Sequence, residues 1–152
     1  MLKHVWLYIG VLLSLALLVI FSLGGGLWGA EKSIGHWTGN LFWGICHQMP
    51  QRSFTFNEVQ MAVNSRCFGV FLGLLAGWIA IPAMIRLVHR KKWILWFLFL
   101  AVIVQIIDYS GNLFHIWENT NVSRAVLGGM LGFAASIAVF DLFKTDNKIF
   151  EP

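Results

Sequence analysis

RCFGVFLGLLAGWIAIPAMIR occupies residues 66–86. Between the two terminal arginines, residues 67–85 contain no Asp, Glu, Lys or Arg. A helix that crosses the hydrocarbon core of a bilayer needs about 20 apolar residues, within a range of about 17–25. The stretch meets that requirement unaided. Gly69, Gly73 and Gly77 recur at every fourth position and so share one helix face. In lipid, a stripe of small residues lets two helix backbones approach closely. The stretch therefore reads as a membrane span with a built-in packing face.

Outward from it lie three more runs free of those charges: residues 4–30, 93–107 and 125–140. The last two are short for a span unless Asp108 and Arg124 sit at or inside the membrane boundary, where long side chains snorkel to the interface. Gly128, Gly132 and Ser136 repeat the four-residue spacing, so the second and fourth spans are expected to touch each other or the first. Packing within the monomer is the simpler use of these stripes. The first run exceeds the ~7–15-residue apolar core of a cleaved signal and reads as a retained helix. The expected spans are about 5–27, 66–88, 93–112 and 123–143, in a single transmembrane domain over residues 1–152. The fold class is an all-α integral membrane protein.

Composition agrees. Of the 152 residues, 58% are hydrophobic and 12% charged, with a mean hydropathy of +0.72. A soluble domain carries roughly 25% charged residues. The net charge of +4 sits in short inter-span segments, which points to topology rather than to nucleic acid. With four spans, Lys3, Arg86, Arg90, Lys91, Lys92, Lys144 and Lys148 share one side; Lys32, Arg52, Arg66 and Arg124 share the other. The positive-inside rule then makes both termini cytoplasmic, as in a bacterial inner membrane, and turns the 28–66 and 109–123 segments outward.

The long outer segment is the least ordinary part. Trp37, Leu41 and Ile45 fall at helical spacing and suggest a short interfacial or re-entrant helix ending near Pro50. Residues 51–63 mix polar and aromatic types and are expected to pack over the bundle as a lid. Asn64 or Ser65 can cap the second span, and Asn121 or Ser123 the fourth. No phosphate-binding glycine loop, nucleophile elbow or zinc-protease motif is present.

The chemistry-bearing residues collect at the outer face. Cys46-His47-Gln48, Arg52-Ser53 and Arg66-Cys67 flank the outer segment. Asp108 lies at the outer end of the third span, and Asn121 and Arg124 open the fourth. Ionisable residues at the edge of a span are costly there and are functional candidates by default. Cys46, His47, Arg52, Arg66, Cys67, Asp108 and Arg124 are expected to converge rather than to scatter around the rim.

Cys-His-Gln-x-x-x-Arg-Ser, then Ser-Arg-Cys-x-Gly-x-x-x-Gly, then Asn-x-x-Arg-x-x-x-Gly resembles the membrane-protein family called domain of unknown function 2085. The resemblance runs in order over roughly residues 40–135 and implies no established activity. The family pattern has a cysteine where this chain has Asn64. With it, three thiols and an imidazole would make a zinc-type donor set; here one thiol is missing.

Three readings of the cysteines stay open. Cys46 and Cys67 form a disulfide, as an outward location permits; or Cys46, His47 and Cys67 ligate a transition metal such as zinc, with Asp108 or His115 completing the set; or both are free buried thiols. Arg52, Arg66 and Arg124, with Asp108 and Gln48, are candidates for binding an anionic lipid or another small anion, since guanidinium forks hold carboxylates and phosphates bidentately. The plainer alternative is internal pairing, with Asp108 and Arg124 the obvious couple. Three functions follow: binding of a metal ion or small anion, an enzyme or transporter acting on a lipid headgroup, and an accessory subunit whose polar cluster only locks the outer loop.

Overall fold

The computed structural model describes residues 5–32, 35–84 and 91–146, and the side chains of these apart from 91–92 and 140–146. Lys3, Arg86, Arg90 and Lys148 of the topology argument lie outside the described residues, as does the expected 85–88 end of the second span. Among the described residues there are five α-helices: α1 (Val5–Ser22), α2 (Trp37–Phe42), α3 (Ser65–Met84), α4 (Lys91–Leu113) and α5 (Asn121–Asp146). Among the described residues four segments are long and apolar enough to cross a membrane: Val5–Ser22, Ser65–Met84, Trp93–Leu113 and Asn121–Val139. Asp108 and Arg124 both fall inside these spans, as the short charge-free runs required.

The centre of the bundle is the α3–α5 contact. A Cβ placed on Gly69 would overlap the Ala125 carbonyl oxygen, and one on Gly73 would overlap that of Gly129. From the other side, Gly128 faces the Arg66 carbonyl and Gly132 that of Val70. Partner numbers rise together along both helices, so α3 and α5 run parallel, as the second and fourth spans of a four-span chain must. The glycine stripes put backbone against backbone, which replaces the hydrophobic drive that lipid does not supply.

α1 packs on α3, and α4 on α5. Tyr8 and Trp78 exchange polar tips across the first pair. The Tyr8 hydroxyl donates to the Trp78 carbonyl, and the Trp78 indole N–H donates to the Tyr8 carbonyl, each at 3.1 Å. Their rings stack 5.7 Å apart. In hydrocarbon this satisfies two donors that no water would reach. The faces of α1 and α4 away from the bundle are apolar and exposed, with Trp6, Leu13, Trp93 and Trp96 outermost.

The segment between α1 and α3 folds over one end of the bundle. α2 ends at Phe42, with turns through residues 43–45, so the expected short helix stops before Pro50. Trp37, Leu41 and Ile45 are exposed on it, while Phe42 is buried against Cys46, Ala62 and Val63. A hairpin of two-residue strands, β1 (Thr55–Phe56) and β2 (Val59–Gln60), occupies the centre of residues 51–63. Asn57 and Glu58 at its tip both have positive φ, 49° and 65°, as a two-residue primed turn demands. Met61, Ala62 and Val63 are buried, and the Ala62 N–H donates to the Ser22 carbonyl at 3.1 Å. The lid is thus anchored on the end of α1.

Candidate functional site

The site forms where α3 and α5 begin and α4 ends. Arg66 and Cys67 stand in the first turn of α3, one turn above Gly69. Arg124 stands in the first turn of α5, at the same level because those helices run parallel. α5 is capped by Thr120, whose hydroxyl accepts the Ser123 N–H at 3.1 Å, so neither Asn121 nor Ser123 is its cap. Asn121 is used otherwise. Its Nδ2 donates to the Ser53 carbonyl at 3.1 Å and its Oδ1 accepts from Arg124 Nη1 at 3.3 Å. It therefore ties the lid to α5 and aims the arginine.

α4 delivers Asp108 and, one turn on, Asn112. Its end is a Schellman motif: the Ile116 N–H reaches the Gly111 carbonyl at 2.9 Å and the His115 N–H reaches that of Asn112 at 3.4 Å. His115 takes the left-handed position, φ 55°, usually given to glycine. Asp108 is buried and forms an ion pair with Arg66, the only one among the described residues. Asn119 Nδ2 lies 2.8 and 2.7 Å from its two carboxylate oxygens. The expected Asp108–Arg124 couple is therefore corrected. Arg66 takes the carboxylate from across the bundle, while Arg124 turns to Asn121.

A cavity of about 420 Å³ opens between these groups. Arg52, Arg66 and Arg124 line it together with Cys67, Asn64, Tyr109, Asn112, Leu113 and His115. Three of the five expected anion-site residues thus share one cavity, and Asp108 holds the third arginine from behind. Gln48 does not line it. Gln48 is buried at φ 48°; its side chain donates to the Gly39 carbonyl at 2.6 Å and its own carbonyl accepts from Gln60 at 2.8 Å. Its place is to lock the loop. Asn119, Tyr109 and Asn112 went unnoticed in sequence. Asn112 lies four residues after Asp108 and so on its helix face, a usable signal; Asn119 sits in an irregular loop and carries none.

The expected metal ligands part company. Cys46 and Cys67 are free thiols, Cys46 within an apolar cluster and Cys67 packed against it. His47 is exposed, while Cys46 and Gln48 on either side of it are buried. Among the described residues no group of three or more His, Cys, Asp or Glu side chains is placed to hold a metal ion. The Cys46 sulfur also accepts the Asn64 backbone N–H at 3.1 Å. Hydrogen bonds from Cys67 first, and from the Asn64 and Gln48 backbone after it, hold the Cys46 thiol well below its ordinary value, at about 6, against the opposing effect of burial. The Asn64 side chain accepts the Met49 N–H at 2.8 Å, so it braces the loop where a further thiol would otherwise stand.

Residues 46–138 match the family described as "Predicted membrane protein (DUF2085)". An uncharacterised protein of Methanocaldococcus jannaschii is 37% identical over 99 residues, which cover 65% of this chain. The matched part spans 64% of that relative's length. No solved structure matches the chain. The family match begins at Cys46 and ends within α5, so it takes in the whole cavity and leaves out α1 and α2.

Proposed function

The chain belongs to the DUF2085 family of predicted membrane proteins, and from that premise we propose that this integral membrane protein binds an oxyanion of the phosphate type in its arginine-lined cavity. The observation that carries the proposal is a charge imbalance. Three guanidinium groups line one cavity. The single nearby carboxylate, Asp108, is committed to Arg66 and Asn119. Arg52 and Arg124 have no acidic partner among the described residues. Like charges held this close, at the edge of a bilayer, repel and are poorly solvated. A dianion seated between them removes both penalties through bidentate hydrogen bonds.

A cluster serving only to lock the loop would have a Cys46–Cys67 disulfide and every arginine paired. Free thiols and two unpaired arginines argue against it. Tyr109 and Asn112 add polar groups to the wall, and Leu113 an apolar one. That mixture suits free phosphate and a phospholipid headgroup alike. The Lys and Arg asymmetry supports an extracytoplasmic cavity, cytoplasmic termini and an inner-membrane location for a single transmembrane domain.

The test is equilibrium dialysis of purified protein against radiolabelled orthophosphate, with the Arg52→Gln/Arg124→Gln double variant beside it. Each hydrogen bond to a charged group contributes about 1.5–3 kcal/mol, so the double variant should bind at least about a hundredfold more weakly. Nanodiscs of phosphatidic acid or of phosphatidylcholine separate the sources. Displacement of orthophosphate by phosphatidic acid alone marks a headgroup site; displacement by neither marks a site for the free anion. Equal binding by wild type and double variant ends the proposal.

A further inference from the structure

We propose that Cys46 and Cys67 are a reversible dithiol–disulfide couple set into the cavity wall, whose exchange partner is a low-molecular-weight disulfide bearing carboxylates. The choice of an anionic partner rests on the anion-binding reading above; the couple itself does not. Two thiols 21 positions apart in the chain meet here, one from the loop after α2 and one from the first turn of α3. Their side chains meet at one apolar cluster: Cys46 lies within it beside Phe42, Ala62 and Val63, and Cys67 packs against it.

Their surroundings divide the labour. Cys67 lines the cavity and is reached from it; Cys46 lies behind, 5% exposed. The Asn64 backbone N–H points at the Cys46 sulfur and favours its thiolate, as do the turned chain at Gln48 and the nearby His47. Cys67 follows Arg66 in the chain and lines the same cavity as Arg52 and Arg124, so an incoming carboxylate is drawn to it.

The exchange balances. The Cys67 sulfur attacks one sulfur of the incoming disulfide as its proton passes to the neighbouring Cys46 thiolate, forming a mixed disulfide and releasing the first thiolate, which accepts the proton that Cys46 gives up. The Cys46 thiolate then attacks the Cys67 sulfur and expels the second thiolate. One incoming disulfide is reduced to two thiols, one of them ionised, and the protein dithiol is oxidised.

Reduced protein is mixed with oxidised glutathione or with neutral hydroxyethyl disulfide, quenched in acid, alkylated and mapped by mass spectrometry. Each rate is divided by that of the same probe with the unfolded protein. The expected product is a Cys46–Cys67 link that dithiothreitol reverses. Cys46→Ser, which keeps an acceptor for the Asn64 N–H, should stop at one mixed disulfide on Cys67. Oxidised glutathione should react about tenfold faster than the neutral probe, and Arg52→Gln/Arg124→Gln should remove that advantage. Wild-type protein that keeps both thiols, or carries separate adducts with no link, overturns the couple. Equal normalised rates with a link formed overturn the anionic partner; orthophosphate binding in the same sample then shows that the anion site itself has survived.

Discussion

Replacing Asp108 with Asn should lower stability and raise anion affinity at once. The carboxylate is the counter-ion of Arg66 and accepts from Asn119. Removing one partner of a buried pair costs about 3–5 kcal/mol. The Arg66 side chain keeps 29% of its surface, so solvent relieves part of that loss and about 2–3 kcal/mol is expected. For a chain of this size, 1 kcal/mol shifts the melting midpoint about 2–4 °C, which puts the loss at roughly 4–12 °C. Affinity moves the other way. Treated as a sphere, the 420 Å³ cavity has a radius of about 5 Å, and the carboxylate stands behind Arg66, roughly 9 Å from an anion at the centre. At an effective dielectric constant of about 20, the repulsion thereby removed is about 1.8 kcal/mol per unit of anion charge, or at least about twentyfold in affinity. Thermal denaturation in detergent and orthophosphate dialysis read the two quantities separately. An unchanged midpoint would show that the pair is not the buried one described. Weaker phosphate binding would show that Asp108 serves the anion rather than opposing it.

Gly73→Leu and Gly132→Leu should each destabilise the bundle more than Leu74→Ala, because their new side chains meet backbone that cannot rotate away, at a cost of about 3 kcal/mol or more; equal midpoints for all three would remove the tight α3–α5 contact. Alkylation of Cys46 in the wild-type protein, mapped by mass spectrometry, should rise with pH through the region near 6 and level off by neutrality, because the thiolate is the reactive form and its hydrogen bonds depress the pKa. A rate still climbing through the ordinary thiol value of 9.0 would contradict that. Reporters fused after Pro152 should read as cytoplasmic; an external signal would invert the topology and bring the cavity to the inner face.

The spans and their pairing were legible because lipid imposes simple rules: charge-free length gives the helices, and small residues every fourth position give the α3–α5 seam. The parallel run of those helices then brought Arg66 and Arg124 to one level, so the convergence of the arginines was also readable. What stayed hidden depends on local side-chain direction. His47 turns outward between buried Cys46 and buried Gln48, and nothing in Cys-His-Gln announces which of them faces the core. Asp108 and Arg124 flank one short loop and looked like partners, yet the carboxylate points across to α3. Packing of α4 on α5 does not by itself pair their charges, since the Asp108 carboxylate reaches Arg66 of α3 instead. The hairpin escaped notice because two-residue strands carry no periodicity, and Asn57-Glu58 lacks the glycine that marks most such turns.

Selenate, an oxyanion with an anomalous signal, locates the binding site directly. Crystals grown in selenate should give an anomalous peak within hydrogen-bond reach of the Arg52, Arg66 and Arg124 guanidinium groups, and Arg52→Gln/Arg124→Gln crystals should lose it. A wild-type map with no peak in the cavity, and with Arg52 and Arg124 turned out to solvent or headgroups, would contradict the assignment of this cavity as an anion site.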